Sequence, residues 1–381
     1  MRSTLTLLIV QLLLVSNVRA ATVKLIVTVP DSTPTDASIY LAGSLPSVGE
    51  WKVDGVKLDR EGDRFVSTIQ LEGDQTLEFK ITRGSWETVE KNRDGSERAN
   101  RLLDAKHAEV SVTVEAWSTG IEKPAPSVVG TLEIFTIDSK SLNQQRTIRV
   151  WLPPGYADAS DRKFPVLYMH DGQNCFDRAT SAFGVEWQID ETLTKLISDG
   201  TIAPMIVVGM DNGGASRTKN YTFDIDKERG GGGAAHANFL IDEVIPQIES
   251  RYRVRTDRAS RMVGGSSLGG LMSLEIVRRH SDVFSGALVM SPSLWWSNEA
   301  IIKAIEADPS QLANSRLWID VGTNEGSGKE TSRYVESVKK LDAILTKANV
   351  EHHLMIQESA EHNEAAWARR FGSAIMYLMD Q

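Results

Sequence analysis

The sequence predicts two folded parts: an all-β, immunoglobulin-like sandwich, then an α/β unit whose mostly parallel sheet carries helices on both faces. Three observations predict this. Short runs with period-two alternation fill residues 21–121. Two prolines within three residues, Pro124 and Pro126, mark a stiff linker over residues 122–128. Beyond it, over residues 129–381, apolar runs alternate with helical patterns, the rhythm of a parallel sheet.

Residues 1–20 are expected to lie outside the fold. Arg2 gives a positive start, Leu5 to Val15 are mostly apolar, and Val18-Arg19-Ala20 resembles a small-residue cleavage site. This is the layout of a secretory signal peptide, and its apolar run is too short to span a bilayer. The expected mature protein is therefore secreted or periplasmic, with no membrane span. With 41% apolar and 24% charged residues the chain can fill a core, which excludes a disordered or fibrous protein. A net charge of −9 argues against a nucleic-acid partner. The single cysteine, Cys175, excludes a disulfide framework and a thiolate zinc site within the chain.

In the front part, strands are expected at Val23 to Val29, Ser38 to Ala42, Phe65 to Leu71, Leu77 to Ile81 and Val110 to Val114, separated by Gly, Asp and Pro clusters. In the second part, buried strands are expected at Phe164 to Met169, Met205 to Met210, Arg261 to Gly264, Gly286 to Met290 and Leu317 to Val321. Helices are expected at Asp190 to Ser198, Ala237 to Tyr252, Gly269 to His280, Thr331 to Lys347 and Glu364 to Met379. In such an architecture the active site lies on loops beyond the carboxyl ends of the strands.

Gly265-x-Ser267-x-Gly269 sits between a strand and a helix, where a nucleophile elbow needs it. The turn is strained, and side chains two positions away would collide, so glycines flank the serine. Ser267 is the expected nucleophile; Ser266 lacks symmetrical flanking glycines. The helix start aims its N–H groups at a developing oxyanion, and the Leu268 N–H is one expected donor. The other is the Gln173 N–H, in the strand-end loop from Met169 to Phe176. His170 and Asp171 precede the nucleophile and are read as shaping this loop. The base must follow the acid in the chain. His362, in the polar loop before the last helix, is the expected base. Glu325, past the end of a strand, is the expected acid; Asp320, inside that strand, stays as the alternative. Cys175 has no elbow around it, and an alkylating reagent there is expected to disturb the loop without touching a nucleophile. Gly230 to Gly233 lack the Lys-Ser or Lys-Thr of a phosphate loop and are read as a flexible loop. No histidine–carboxylate spacing suggests a metal, and no cofactor is expected.

Five ordered motifs carry a resemblance: Arg149 to Tyr156, Tyr168 to Gln173, Gly265 to Gly270, Ser291 to Trp296 and His362 to Trp367. Together they resemble the esterase family of α/β-hydrolases that includes feruloyl esterase domains, enterochelin esterases, esterase D and the mycolyltransferases. The resemblance implies an α/β-hydrolase fold and ester hydrolysis through an acyl-enzyme, with Trp296 lining the substrate cleft. The front part resembles a starch-binding carbohydrate module, through Tyr40 to Gly43, Val48 to Trp51, Glu78 to Ile81, Gly84 to Glu87 and Asn100-Arg101. That resemblance implies that Trp51 and Trp86 stack on sugar rings and that Lys80 assists. An extra segment, Lys91 to Ala99, departs from the module's pattern.

The expected function is a secreted serine carboxylic ester hydrolase acting on esters linked to carbohydrate, of feruloyl or acetyl type. The expected partners are that ester and, through the front part, an α-glucan or other glycan. A siderophore esterase, an acyltransferase on the same fold and a non-catalytic glycan-binding protein are the alternatives.

Overall fold

The computed structural model describes residues 20–380 apart from 74, 94, 96–97, 119–124, 159, 182–183, 227 and 327–328; at 20 and 329–332 it describes the backbone alone. The expected signal segment up to residue 19 and the first part of the expected linker lie outside the described residues. The chain divides into two units, Met1–Ile121 and Glu122–Gln381.

The second unit is built on an eight-stranded sheet. Its strands are β1 (Thr131–Ser139), β2 (Gln144–Leu152), β3 (Val166–His170), β4 (Ile206–Met210), β5 (Arg261–Ser266), β6 (Gly286–Met290), β7 (Arg316–Asn324) and β8 (Glu351–Glu361). The order is β1-β2-β4-β3-β5-β6-β7-β8, antiparallel from β1 to β4 and parallel from β4 onward. β3, β4 and β6 are buried at every position. Covered on both faces, they read as continuous apolar runs rather than alternations. β1 is an edge strand with exposed Thr131, Glu133 and Asp138, so its sequence lacks that signal.

Helices stand close to their expected places at Ile189–Ser198, Leu268–Arg279, Lys329–Lys347 and Glu364–Met379. The expected helix from Ala237 to Tyr252 is interrupted. It begins at Gly233–Asn238, passes through a π-helical turn at Phe239–Val244 and resumes at Ile245–Arg251. Pro246 explains the change, because it has no N–H to donate and its ring crowds the preceding turn. The glycine run is tight rather than open: Gly232 N–H donates to Lys219 O at 2.9 Å and Gly233 N–H to Thr222 O at 2.8 Å. A Cβ on Gly233 would lie 2.7 Å from Phe223 Cδ2.

The first unit is a sandwich of two four-stranded sheets. Ala20–Thr28 pairs with Arg64–Glu72 and Glu109–Thr113; Tyr40–Gly43 and Thr76–Thr82 are central in the other sheet. Val23, Leu25, Phe65, Ile69, Leu77 and Phe79 fill the space between. Glu90 is fully buried and is held by Arg101 Nη2 at 2.8 Å and the Ile81 N–H at 2.9 Å.

The register of β7 against β8 shifts between Gly322 and Asn324, just before Glu325 and His362, which follow the two strands. A Cβ on Gly322 would lie 2.1 Å from the Ala360 carbonyl oxygen, a backbone atom. Gly322→Ala should therefore lower stability by about 2–4 kcal/mol. Thermal denaturation with an unchanged Tm would contradict that close approach.

Candidate active site

β5 ends at Ser266 and the next helix begins at Leu268, so Ser267 makes the whole turn. Its backbone has φ 58° and ψ −122°, a region that non-glycine residues avoid. Three backbone bonds hold it there. Its N–H donates to Met290 O, and its carbonyl accepts from the Leu271 and Ser293 N–H groups, all at 3.0 Å. A Cβ on Gly265 would lie 2.9 Å from the carbonyl carbon of Gly269. The two glycines thus let strand and helix cross at contact distance. The Ser267 Oγ lies 3.3 Å from Ser293 Oγ.

Glu325 follows the end of β7, and His362 follows the end of β8. His362 Nδ1 lies 3.1 Å from Glu325 Oε2. The imidazole is packed edge-on to Trp367 and tilted against Tyr334, with ring centroids 5.1 Å away in both cases. Glu325 is 2% exposed. Its Oε1 accepts from the Gly322 N–H at 2.6 Å and from the Ser291 hydroxyl, and Arg370 Nη2 lies 3.4 Å away. Asp320 faces elsewhere. It accepts from Trp318 Nε1 at 2.7 Å and pairs with Arg370 Nε at 3.0 Å. Burial pushes its carboxyl up to about 6. Of the two acids weighed from sequence, Glu325 is the one placed against His362.

Gln173 lies in a short helical turn, Gly172–Asn174, directly after β3. Among the described residues no acceptor is paired with the N–H of Gln173 or of Leu268. Asp171 shapes this loop from a left-handed conformation, φ 56°. Burial would raise its carboxyl, but Arg217 pairs with both its oxygens, at 2.8 and 2.7 Å, and holds it below the usual range. Gly269 packs against the same loop, its Cβ position 3.2 Å from His170 Cβ. His170 Nδ1 lies 3.3 Å from His236 Nε2, and both rings are buried. Burial pushes His170 down to about 4 and lowers His236 as well. Cys175 is 2% exposed, and burial raises its thiol well above the ordinary value. A reagent therefore does not meet it on the folded surface.

Trp296 is corrected by the structure. It is 4% exposed and packs in the core, and its indole N–H donates to Asp224 O at 2.8 Å. That bond pins the loop bearing Asp224 rather than lining a cleft. Trp295 is half-buried, with the Arg333 guanidinium 5.0 Å over its ring. In the first unit Trp51 and Trp86 are half-buried on two loops joined by the Thr82 hydroxyl donating to Val53 O at 2.6 Å. Lys80, expected to assist them, does not reach the surface. It is 6% exposed, and its ammonium donates to the Arg98 carbonyl, inside the extra segment. Arg370, Ser291 and Arg217 were not expected. Their roles depend on contacts across 34 or more residues of chain, which no local spacing displays.

A family model described as "Putative esterase" matches residues 139–378, and a second, "Starch binding domain", matches residues 21–113. The endo-1,4-β-xylanase/feruloyl esterase of Xylanibacter ruminicola is 26% identical over 270 residues, 66% of this chain and 33% of that protein. The iron(III) salmochelin esterase of Escherichia coli O6:H1 is 25% identical over 314 residues, 79% of this chain and 68% of that one. Among solved structures, the enterobactin esterase of Shigella flexneri covers 90% of this chain and 88% of its own, with TM-score 0.54 and 14% identity, a likeness of fold.

The buried histidines give a pH dependence. Unfolded, His170 takes a proton near 6.5; folded, it does so only near 4. The unfolded chain thus binds more protons between these values, and stability falls as pH drops from about 6.5 toward 4. The loss for His170 alone is about 3 kcal/mol. Asp320 acts in the opposite sense, because its folded carboxyl titrates higher than the unfolded one. His170→Asn should therefore lose Tm less steeply than wild type between pH 7 and 5. Parallel Tm curves would show that His170 is not held neutral.

Proposed function

The chain belongs to the esterase family and is a carboxylic ester hydrolase, and we propose that it works as a serine esterase through Ser267, His362 and Glu325. The observation that carries this reading is the Glu325–His362 pair standing on the same sheet edge as the strained Ser267 turn. In the proposed reaction Ser267 Oγ attacks the ester carbonyl. His362 Nε2 takes the hydroxyl proton and returns it to the leaving alcohol, while Glu325 keeps Nδ1 protonated and stabilises the imidazolium. The N–H groups of Leu268 and Gln173 receive the oxyanion. Water, activated by His362, then releases the acid from the acyl-enzyme.

The proposed substrates are esters joined to carbohydrate, of feruloyl or acetyl type. The xylanase/feruloyl esterase relative supports this, as does the match of the first unit to a starch-binding domain. In that unit Trp51 and Trp86 are the proposed sugar-stacking surface. Secretion or periplasmic export is proposed from the N-terminal pattern. One observation favours a second reading, a siderophore ester. The salmochelin esterase aligns over 79% of the chain, more than the second unit alone holds.

Ser267→Ala should abolish p-nitrophenyl acetate hydrolysis and fluorophosphonate labelling while leaving Tm near wild type. Unchanged turnover would remove Ser267 from the mechanism. Glu325→Gln is expected to lower kcat by about 10²–10⁴-fold, with KM little changed. A panel of methyl ferulate, acetylated xylan and a triserine-lactone siderophore separates the substrate readings by kcat/KM. An acyl group diverted to an added sugar would mark a transferase. For the first unit, retention of the full chain on amylose should fall in Trp86→Ala; no retention of wild type would remove α-glucan as the ligand.

A further inference from the structure

Glu186, Asp190 and Glu191 bring one carboxylate oxygen each to within 4.8 Å of one another. That spacing is about twice a calcium–oxygen bond of ~2.4 Å, the span of ligands around one ion. Glu186 is 4% exposed and Asp190 0% exposed, while Glu191 is half-buried. A second observation concerns their bonding. Glu186 Oε1 accepts from the Ser127 hydroxyl, and Asp190 Oδ2 accepts from the Val129 N–H at 2.6 Å. Of the other four oxygens, three, Glu186 Oε2, Asp190 Oδ1 and Glu191 Oε2, are buried without a hydrogen-bond partner. The cations around the site form no pair with it: Lys195 pairs with Asp199 at 2.6 Å, and exposed Arg178 acts on Glu186 only through its charge. No ion pair among the described residues reaches the three acids.

Three carboxylates facing one another inside protein repel, and each unmet oxygen carries a desolvation cost. A cation between them removes both penalties. The donor set is all oxygen, with no imidazole or thiolate, which selects a hard ion. A cage made by the protein itself suits calcium better than magnesium, which keeps most of its water.

We propose that Glu186, Asp190 and Glu191 form a site for a hard divalent cation of calcium type. Its place in the fold says what the ion does. Trp187 N–H donates to Asn174 O at 2.9 Å and Ile189 N–H to Cys175 O at 3.2 Å. The acidic segment is thus stitched to the loop that carries Gln173. Ser127, bound to Glu186, also donates its N–H to Asp177 Oδ1 at 3.2 Å. The ion braces this loop from behind and takes no part in bond making. Histidine spacing in the sequence gives no sign of this site, whose donors are all carboxylates. The binding itself does not depend on the proposed triad.

Tb³⁺ luminescence in the chelator-stripped full chain tests the site, because Trp187 adjoins Glu186 and can sensitise a bound ion. The expected result is a saturable signal displaced by Ca²⁺, together with a Tm raised by several degrees in millimolar Ca²⁺. Both responses should be lost in Asp190→Asn. Glu191→Gln, at the half-buried member, should weaken binding at least tenfold and serves if Asp190→Asn does not fold. The proposal is overturned if Ca²⁺ leaves Tm unchanged, or if the Tb³⁺ signal persists in both variants. It is also overturned if Asp190→Asn raises Tm with no Ca²⁺ effect in wild type, the mark of a shared proton instead of an ion. Ser267→Ala should bind as wild type does, so loss of turnover there bears on the triad and not on the cation.

Discussion

One buried guanidinium, Arg370, ties together the half of the sheet edge on which the site depends. It is 1% exposed and stands between two carboxylates, Asp320 on β7 and Glu325 beyond it. It also donates to Ser291 Oγ at 2.8 Å, and Trp367 Nε1 donates to the same oxygen at 2.9 Å. The ends of β6 and β7 and the last helix therefore share one network. Such a network adds little net stability against an apolar core, but removing one member strands a charge and costs about 3–5 kcal/mol. What it supplies is orientation. Glu325 Oε1 is used up by Ser291, Gly322 and Arg370, which leaves Oε2 for His362.

The same division of labour explains why two acids could not be separated from sequence. Asp320 and Glu325 are five residues apart, and both lie near the end of one strand. What separates them is the contact with His362, which Glu325 makes, whereas Asp320 is turned to Trp318 and Arg370; the His362 contact spans 37 residues of chain. Contacts of that kind arise only when strands and helices from distant parts of the chain assemble. By contrast, the Ser267 turn was legible, because its constraint is local. Glycines two residues either side of a serine, between an apolar run and a helix, have few other uses. The central strands β3, β4 and β6 were legible for a similar reason, as continuous apolar runs. β1 was not, since an edge strand half open to water has a mixed composition. The π-helical turn was missed because period alone ignores what Pro246 does to the hydrogen-bond ladder.

The first unit shows how an insertion changes a surface without changing a fold. Its strands fall where alternation places them, and its core is ordinary. The extra segment from Lys91 to Ala99 nevertheless meets Lys80 through the Arg98 carbonyl. It also places Arg98 Nε 3.9 Å from buried Glu90. Lys80 is held inward by its bond to that carbonyl and is 6% exposed. Trp51 and Trp86, on their own pair of loops, stay half-buried.

Cys175 is part of the loop that carries Gln173, its backbone hydrogen-bonded to Gly172 within that loop and to Ile189. It is the chain's one thiol, and in the folded state it is shielded and protonated. Its rate of modification is then limited by how often the loop opens, not by thiol chemistry at the surface. The protein thus carries a built-in clock for that opening, in which labelling kinetics translate directly into a local opening free energy.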